Sequence, residues 1–204
     1  MQVAAGPGFV VEMVNLAARV WRTAPGVPSQ EAQTIALGTF FRAGATDRLT
    51  DPRVLYDAPS GRWFASISNL DTSSVMLAVS RGADPTGVWS TYSFGASGCA
   101  DQPRLGLSDS AVVIAADIFS SCDSNFAPLL GGELWVLNKQ QLLDGAPSIA
   151  SQVYGPDRSL DGLAPVQSLS PTGTEYAVSV ENPSSRVVHL YTIDGVPPGA
   201  VQFQ

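Results

Sequence analysis

A recurrence of turns constrains this chain more than any other feature. Gly, Pro, Asp and Ser gather in clusters such as APSG (58–61), GADPTG (82–87) and GVPPG (195–199), and between the clusters run short stretches rich in Val, Ile, Trp, Tyr and Thr. That is the punctuation of many short strands. Aligned on its turns rather than on identities, the chain shows a unit of about 50 residues, each with room for four strands, which is the period range of propeller blades.

The second unit is the clearest: strands at 52–56, 63–68, 75–80 and 88–94. The third repeats the order at 103–107, 111–117, 133–138 and 149–154, with one helical turn expected at 140–143 (QQLL), and the fourth at 165–169, 175–180, 186–192 and 200–204. In the first unit the strands fall at 2–5, 9–15, 18–21 and 34–40. Residues 10–22 also carry a helical periodicity, but the same slot is strand in the other three copies, so strand is preferred. Three first strands open near a proline (Pro52, Pro103, Pro165), where a missing N–H does least harm. The expected fold is therefore all-β: a β-propeller of four four-stranded antiparallel blades in one domain, at about 1–45, 46–97, 98–157 and 158–204. It either closes on itself or forms an incomplete ring that self-associates to a homo-oligomer, burying its end blades.

Composition removes several function classes. The net charge is −7 and the chain holds a single lysine, Lys139, with its arginines scattered, so no basic run tracks a phosphate backbone and nucleic acid is not an expected partner. No apolar run approaches the roughly 20 residues of a membrane span, and no leader pattern opens the chain, so a soluble protein is expected. Two cysteines flank the first hairpin of the third unit: Cys99 precedes its first strand and Cys122 follows its second. An antiparallel hairpin brings these positions to one end, so a disulfide is expected, with two free thiols as the alternative. A disulfide favours a secreted or periplasmic protein.

The segments GPGFVVEMVN, DPRVLYDAPSGRWF, AVSRGADPTGVWSTYSF and QPRLGLSDSAVVIAADIF together resemble the blades of secreted bacterial β-propeller proteins of the broad sialidase-like and glycosidase-like kind. The resemblance spans nearly the whole chain and rests on blade-building motifs. It implies a general-base role for Asp51, whose Asp-Pro setting is similar to that of five-bladed glycosidases. The matching acid would be a Glu on a later blade, for which Glu175 and Glu181 are the loose candidates. The arginine triad and tyrosine nucleophile of sialidases have no assignable counterpart.

In a propeller, residues before a first strand and after a second strand share one rim. That rim would collect Asp51 and Asn69 from the second unit, Asp101 and Asp117 from the third, Asp161, Glu181 and Asn182 from the fourth, and Asn15 from the first. Three readings apply. Such residues cap turns by accepting backbone N–H groups; several carboxylates together suit a hard cation such as Ca²⁺; or two of them across the mouth act as acid and base on a glycosidic bond. The inserted connection 120–130 (SSCDSNFAPLL), with Asp123 and Asn125, is a candidate recognition loop. Trp21, Trp63, Trp89 and Trp135 are read as filling between blades, and His189 as a half-buried sheet residue. The leading expectation is a binding or scaffold module whose acidic rim contacts a glycan, a cation or another protein. A glycoside hydrolase with Asp51 as base, or a ring fragment with no ligand of its own, are the alternatives.

Overall fold

The computed structural model describes residues 1–123, 127–180 and 186–204. The chain divides into two compact units, Met1–Gly95 and Ala96–Gln204, and each carries two four-stranded sheets whose strands are hydrogen-bonded in chain order. Every ladder within these sheets is antiparallel.

In the first unit, β1 (Gln2–Gly6), β2 (Phe9–Val14), β3 (Ala17–Ala24) and β4 (Val27–Ala36) form one sheet. A five-residue helix, α1 (Leu37–Phe41), leads toward the other: β5 (Leu49–Asp57), β6 (Arg62–Asn69), β7 (Ser74–Ser80) and β8 (Trp89–Gly95). Residues 10–22 belong to β2 and β3, two strands joined by a turn at Asn15-Leu16, and not to a helix. The fourth strand differs from the sequence expectation of 34–40. It begins at Val27, directly after Pro25-Gly26, a two-residue hairpin turn in which Gly26 takes the left-handed conformation that the turn demands. Residues 37–40 fold into α1 instead. Leu37 and Phe41, four apart on its inner face, enter a core built from Val11, Met13, Val20, Val54, Trp63, Ile67 and Trp89. Phe40 meets Phe41 and Trp89 edge-on at 4.9 Å each.

In the second unit, β9 (Cys99–Leu107), β10 (Ala111–Phe119), β11 (Leu129–Asn138), α2 (Lys139–Asp144) and β12 (Ser151–Asp157) precede a 3-10 turn at Arg158–Leu160. The last sheet is β13 (Ala164–Pro165), β14 (Glu175–Val180), β15 (Val188–Asp194) and β16 (Gln202–Phe203). The expected helical turn at 140–143 lies inside α2. Asn138 caps it by accepting the Gln141 N–H at 3.1 Å. β10 and β11 are buried on both faces almost throughout, which is why they read as continuous apolar runs rather than alternating ones. The first strand of the last sheet is shorter than the expected 165–169. Past Pro165 the chain turns its hydrogen bonds to β9, with Leu107 donating to Val166 and Ser168 donating to Leu107 at 2.9 and 2.8 Å, so Gln167, just after β13, forms an isolated parallel bridge with Leu107 at the end of β9. A disulfide joins Cys99 to Cys122 across Cα atoms 5.1 Å apart. Among the described residues no helix is long and apolar enough to cross a membrane.

Candidate functional site

β5 and β9 begin with the same irregularity. In β5 the pairing steps from Thr50 opposite Ser68 to Arg53 opposite Ser66, and in β9 from Asp101 opposite Asp117 to Arg104 opposite Ala115. Two residues therefore face one, a bulge. The first extra residue is left-handed, Asp51 at φ 55° and Gln102 at φ 50°, and the second is proline, which costs no ladder bond at an unpaired position. Thr50-Asp51-Pro52-Arg53 thus superposes on Asp101-Gln102-Pro103-Arg104. The sequence places Asp51 and Asp101 before first strands and Asn69 and Asp117 about the ends of second strands, as members of one rim. By register, Asp51 matches Gln102, Asp101 matches Thr50, and Asp117 matches Ser68, so the rim acids of the two units do not stand at equivalent positions.

In the first unit Asn15 and Asp51 lie side by side. The Asn15 amide donates to Thr50 Oγ1, and its carbonyl oxygen accepts the Asp51 N–H, both at 3.3 Å. Thr50 in turn donates to Asp51 Oδ2 at 3.2 Å. Asn69 organises the next layer, donating to Asp47 Oδ2 at 2.6 Å and accepting the N–H groups of Asp71 and Thr72. Asp71 holds Arg48 through its main-chain N–H and its guanidinium, with the closest ion-pair approach 2.8 Å, and these bonds keep the Asp71 carboxyl below its ordinary range. Beside this network opens a cleft of about 980 Å³, lined by Asn15, Thr39, Arg42, Asp47 and Arg48 with small residues between them. Among the described residues no aromatic ring lines it. The sequence reading named Asn15 but missed Arg42, Asp47 and Arg48, because it placed a strand where α1 and its cap stand.

In the second unit Asp117 and Asp101 are occupied. Asp117 is nearly buried and takes both guanidinium nitrogens of Arg104, at 2.9 and 3.3 Å, while its Oδ1 also accepts the Gly162 N–H at 2.9 Å. Arg104 reaches Leu163 O and Gln102 Oε1 as well. This clamps β9 and β10 to the connection that leads into β13. Asp101 accepts the N–H of Gln102 at 2.9 Å, a turn-former's bond. Asp161 is exposed at the end of the 3-10 turn, whose start is capped by Asp157 through Ser159. Asp123 is exposed, and its backbone N–H donates to Ser121 Oγ at 3.1 Å. Asn125, Glu181 and Asn182 lie outside the described residues. Among the described residues no three acids, histidines or cysteines come together as a metal-holding group, so the Ca²⁺ reading finds no ligand cluster here.

Glu175, the loose candidate for a catalytic acid, sits elsewhere. Asp101 and Asp117 mark one end of β9 and β10; Glu175 packs against Gly106, near the other end of β9, its Oε1 filling the space a side chain there would need. It is fully buried, and neither carboxylate oxygen has a hydrogen-bond partner among the described residues. Burial pushes its pKa from 4.5 up to about 8. The Val166 N–H, already given to Tyr176, and Lys139, whose Nζ donates to Ser108 O at 2.6 Å, pull the other way without matching that cost. Trp63, Trp89 and Trp135 are core, and His189 is exposed rather than half-buried.

No protein-family model matches the chain, and neither does any curated protein. Among solved structures it is similar to an α-L-arabinofuranosidase from Podospora anserina in complex with cellotriose, at 14% identity and a TM-score of 0.44, over 98% of this chain and 72% of that one. It is similar also to an exo-β-1,3-galactanase from Phanerochaete chrysosporium with galactose, at 9% identity and a TM-score of 0.51, over 98% of this chain and 48% of that one. The chain spans about half the galactanase's length. The fold is all-β, four four-stranded antiparallel sheets in chain order, and the likeness to the galactanase is a likeness of fold.

Proposed function

We propose that this protein is a secreted β-propeller module that binds a glycan in the cleft of its first unit. The cleft carries the reading. At about 980 Å³ it is at the upper end of the usual volume for small-ligand sites, and its polar groups are held in place by the Asn15–Thr50–Asp51 and Asn69–Asp47 bonds before any ligand arrives. Hydrogen bonding would dominate recognition, since no ring is there for a sugar to stack on. The disulfide supports an oxidising compartment.

Hydrolysis is the second reading, favoured by the place of Asp51, one hydrogen bond from Asn15 at the cleft's edge. It needs a partner acid. Asp47 is tied to Asn69 and to the Gly44 N–H, Asp117 is neutralised by Arg104, and the protonated Glu175 is sealed in the second unit's core. Binding therefore leads. Titration of galacto-, arabino-, cello- and galacturono-oligosaccharides, with hydrogen exchange mapping protection, tests it. Protection of residues 36–49, weakened by Asn15→Ala and untouched by Asp51→Asn, is expected. Turnover of aryl glycosides that Asp51→Asn abolishes would replace binding by hydrolysis, and no protection by any sugar would end both.

A further inference from the structure

We propose that the ligand of this cleft is an anionic sugar, carrying a carboxylate or a sulfate ester, and that Arg42 recognises its charge. The inference rests on the carbohydrate reading above and adds the ligand's chemical class. It starts from a comparison inside the molecule. The two short helices end in the same way. After α1, Arg42 N–H bonds Thr39 O and Ala43 N–H bonds Gly38 O; after α2, Gly145 N–H bonds Leu142 O and Ala146 N–H bonds Gln141 O. Both are Schellman caps, and both need a left-handed residue, at φ 58° and 65°. Glycine meets that need without strain, and α2 uses it. α1 holds an arginine there, in a conformation that side-chain-bearing residues rarely adopt. The cap bonds are all main-chain, so the guanidinium adds to this five-residue helix only the weak, solvent-screened attraction of a cation for a helix C-terminus.

What the side chain gains is position. Arg42 lines the 980 Å³ cleft and also a neighbouring one of about 270 Å³ with Gln33, Phe40 and Trp89. Its side chain makes no hydrogen bond or ion pair with any described residue, unlike the other charged groups of the large cleft: Arg48 is committed to Asp71, and Asp47 to Asn69 and Gly44. The cleft thus presents two guanidinium groups against one carboxylate, in a chain whose net charge is −7, and only one of the three is uncommitted. A planar fork of N–H donors matches carboxylate and sulfate oxygens two at a time.

The experiment measures binding of trigalacturonate, of its uncharged methyl ester and of galactose 6-sulfate to the whole protein by calorimetry, with exchange protection locating the site. Wild type should bind at least one anionic probe roughly tenfold or more tighter than the ester, and raising salt from about 0.05 to 0.5 M should shrink that preference. The two anionic probes separate carboxylate from sulfate. Arg42→Gly should abolish the preference while its melting temperature stays level or rises, since glycine is at home in the cap; a purely structural arginine would show neither effect on selectivity. Arg42→Lys should keep part of it. Equal binding of acid and ester in the cleft, or a preference that survives Arg42→Gly, overturns the inference and leaves the carbohydrate reading standing. Failure of every sugar to protect the cleft overturns both.

Discussion

Replacing Glu175 by glutamine should remove a step from the pH dependence of stability. In the folded chain this carboxyl gives up its proton near pH 8, in the unfolded chain near 4.5. Below about 4.5 both states are protonated and stability is at its full value. Between 4.5 and about 8 the unfolded chain ionises while the folded one holds its proton, so stability falls as pH rises; above about 8 both are ionised and the fall stops. At about 1.4 kcal/mol per pH unit the full fall is of order 5 kcal/mol, and relaxation around the ionised group makes about 3 kcal/mol a fair lower expectation. Glutamine has nearly the same shape and does not ionise. Any misfit of its amide shifts the curve vertically and leaves the slope alone. Urea unfolding followed by circular dichroism at intervals from pH 4.5 to 9, in wild type and Glu175→Gln, isolates the effect, because every other titrating group cancels in the difference. The variant should gain about 3–5 kcal/mol on wild type across that window. Lys139→Met, which takes away the ammonium that favours ionisation, should extend the wild-type fall to higher pH. Parallel curves for wild type and Glu175→Gln would show that the carboxylate is already charged and paired in the fold, and the argument from its burial would fail.

Two further perturbations address the second unit. Opening the Cys99–Cys122 bridge, by reduction or by paired serine substitution, releases a loop with a sequence separation of 23 and should lower stability by about 3 kcal/mol in the chain-entropy model; two thiols alkylated without prior reduction would remove the bridge from the account. Asp117→Asn leaves the mostly buried Arg104 guanidinium without its counter-charge and should lose about 3–5 kcal/mol in urea unfolding, whereas Arg104→Met with Asp117→Leu should lose far less. A single variant as mild as the double would mean that the pair is solvated and does no clamping.

The fold was legible where the sequence repeats a physical requirement, and illegible where one turn decides the outcome. β10 and β11 are buried on both faces, so AVVIAAD and ELWVLN can be little other than inner strands. β4 is exposed along most of its length and carries Pro28, so its composition resembles a loop; only the Pro25-Gly26 turn announces it, and an edge strand tolerates the proline. The two helices differ in the same instructive way. α2 has a side-chain cap at Asn138 and a glycine after its end, both readable, whereas α1 starts at Ala36 with no side-chain cap and ends on an arginine. The cleft is lined by the segment that follows from that missed helix, which is why its charged residues went unrecognised while Asn15, on a plain hairpin turn, did not.

The bulges bear most directly on Asp51. A non-glycine residue held left-handed just before a proline, at the edge of a cleft, invites a catalytic role, since strain of this kind concentrates at functional sites. The register removes that inference. Gln102 occupies the same place in β9, in the same conformation and before the same Pro-Arg pair, and an amide cannot exchange protons as an acid or base. The strain is therefore a property of how these first strands begin, set by two residues facing one. A chemical role for Asp51 has to rest on its carboxylate and on what reaches it through Asn15 and Thr50; its backbone conformation contributes nothing to the case.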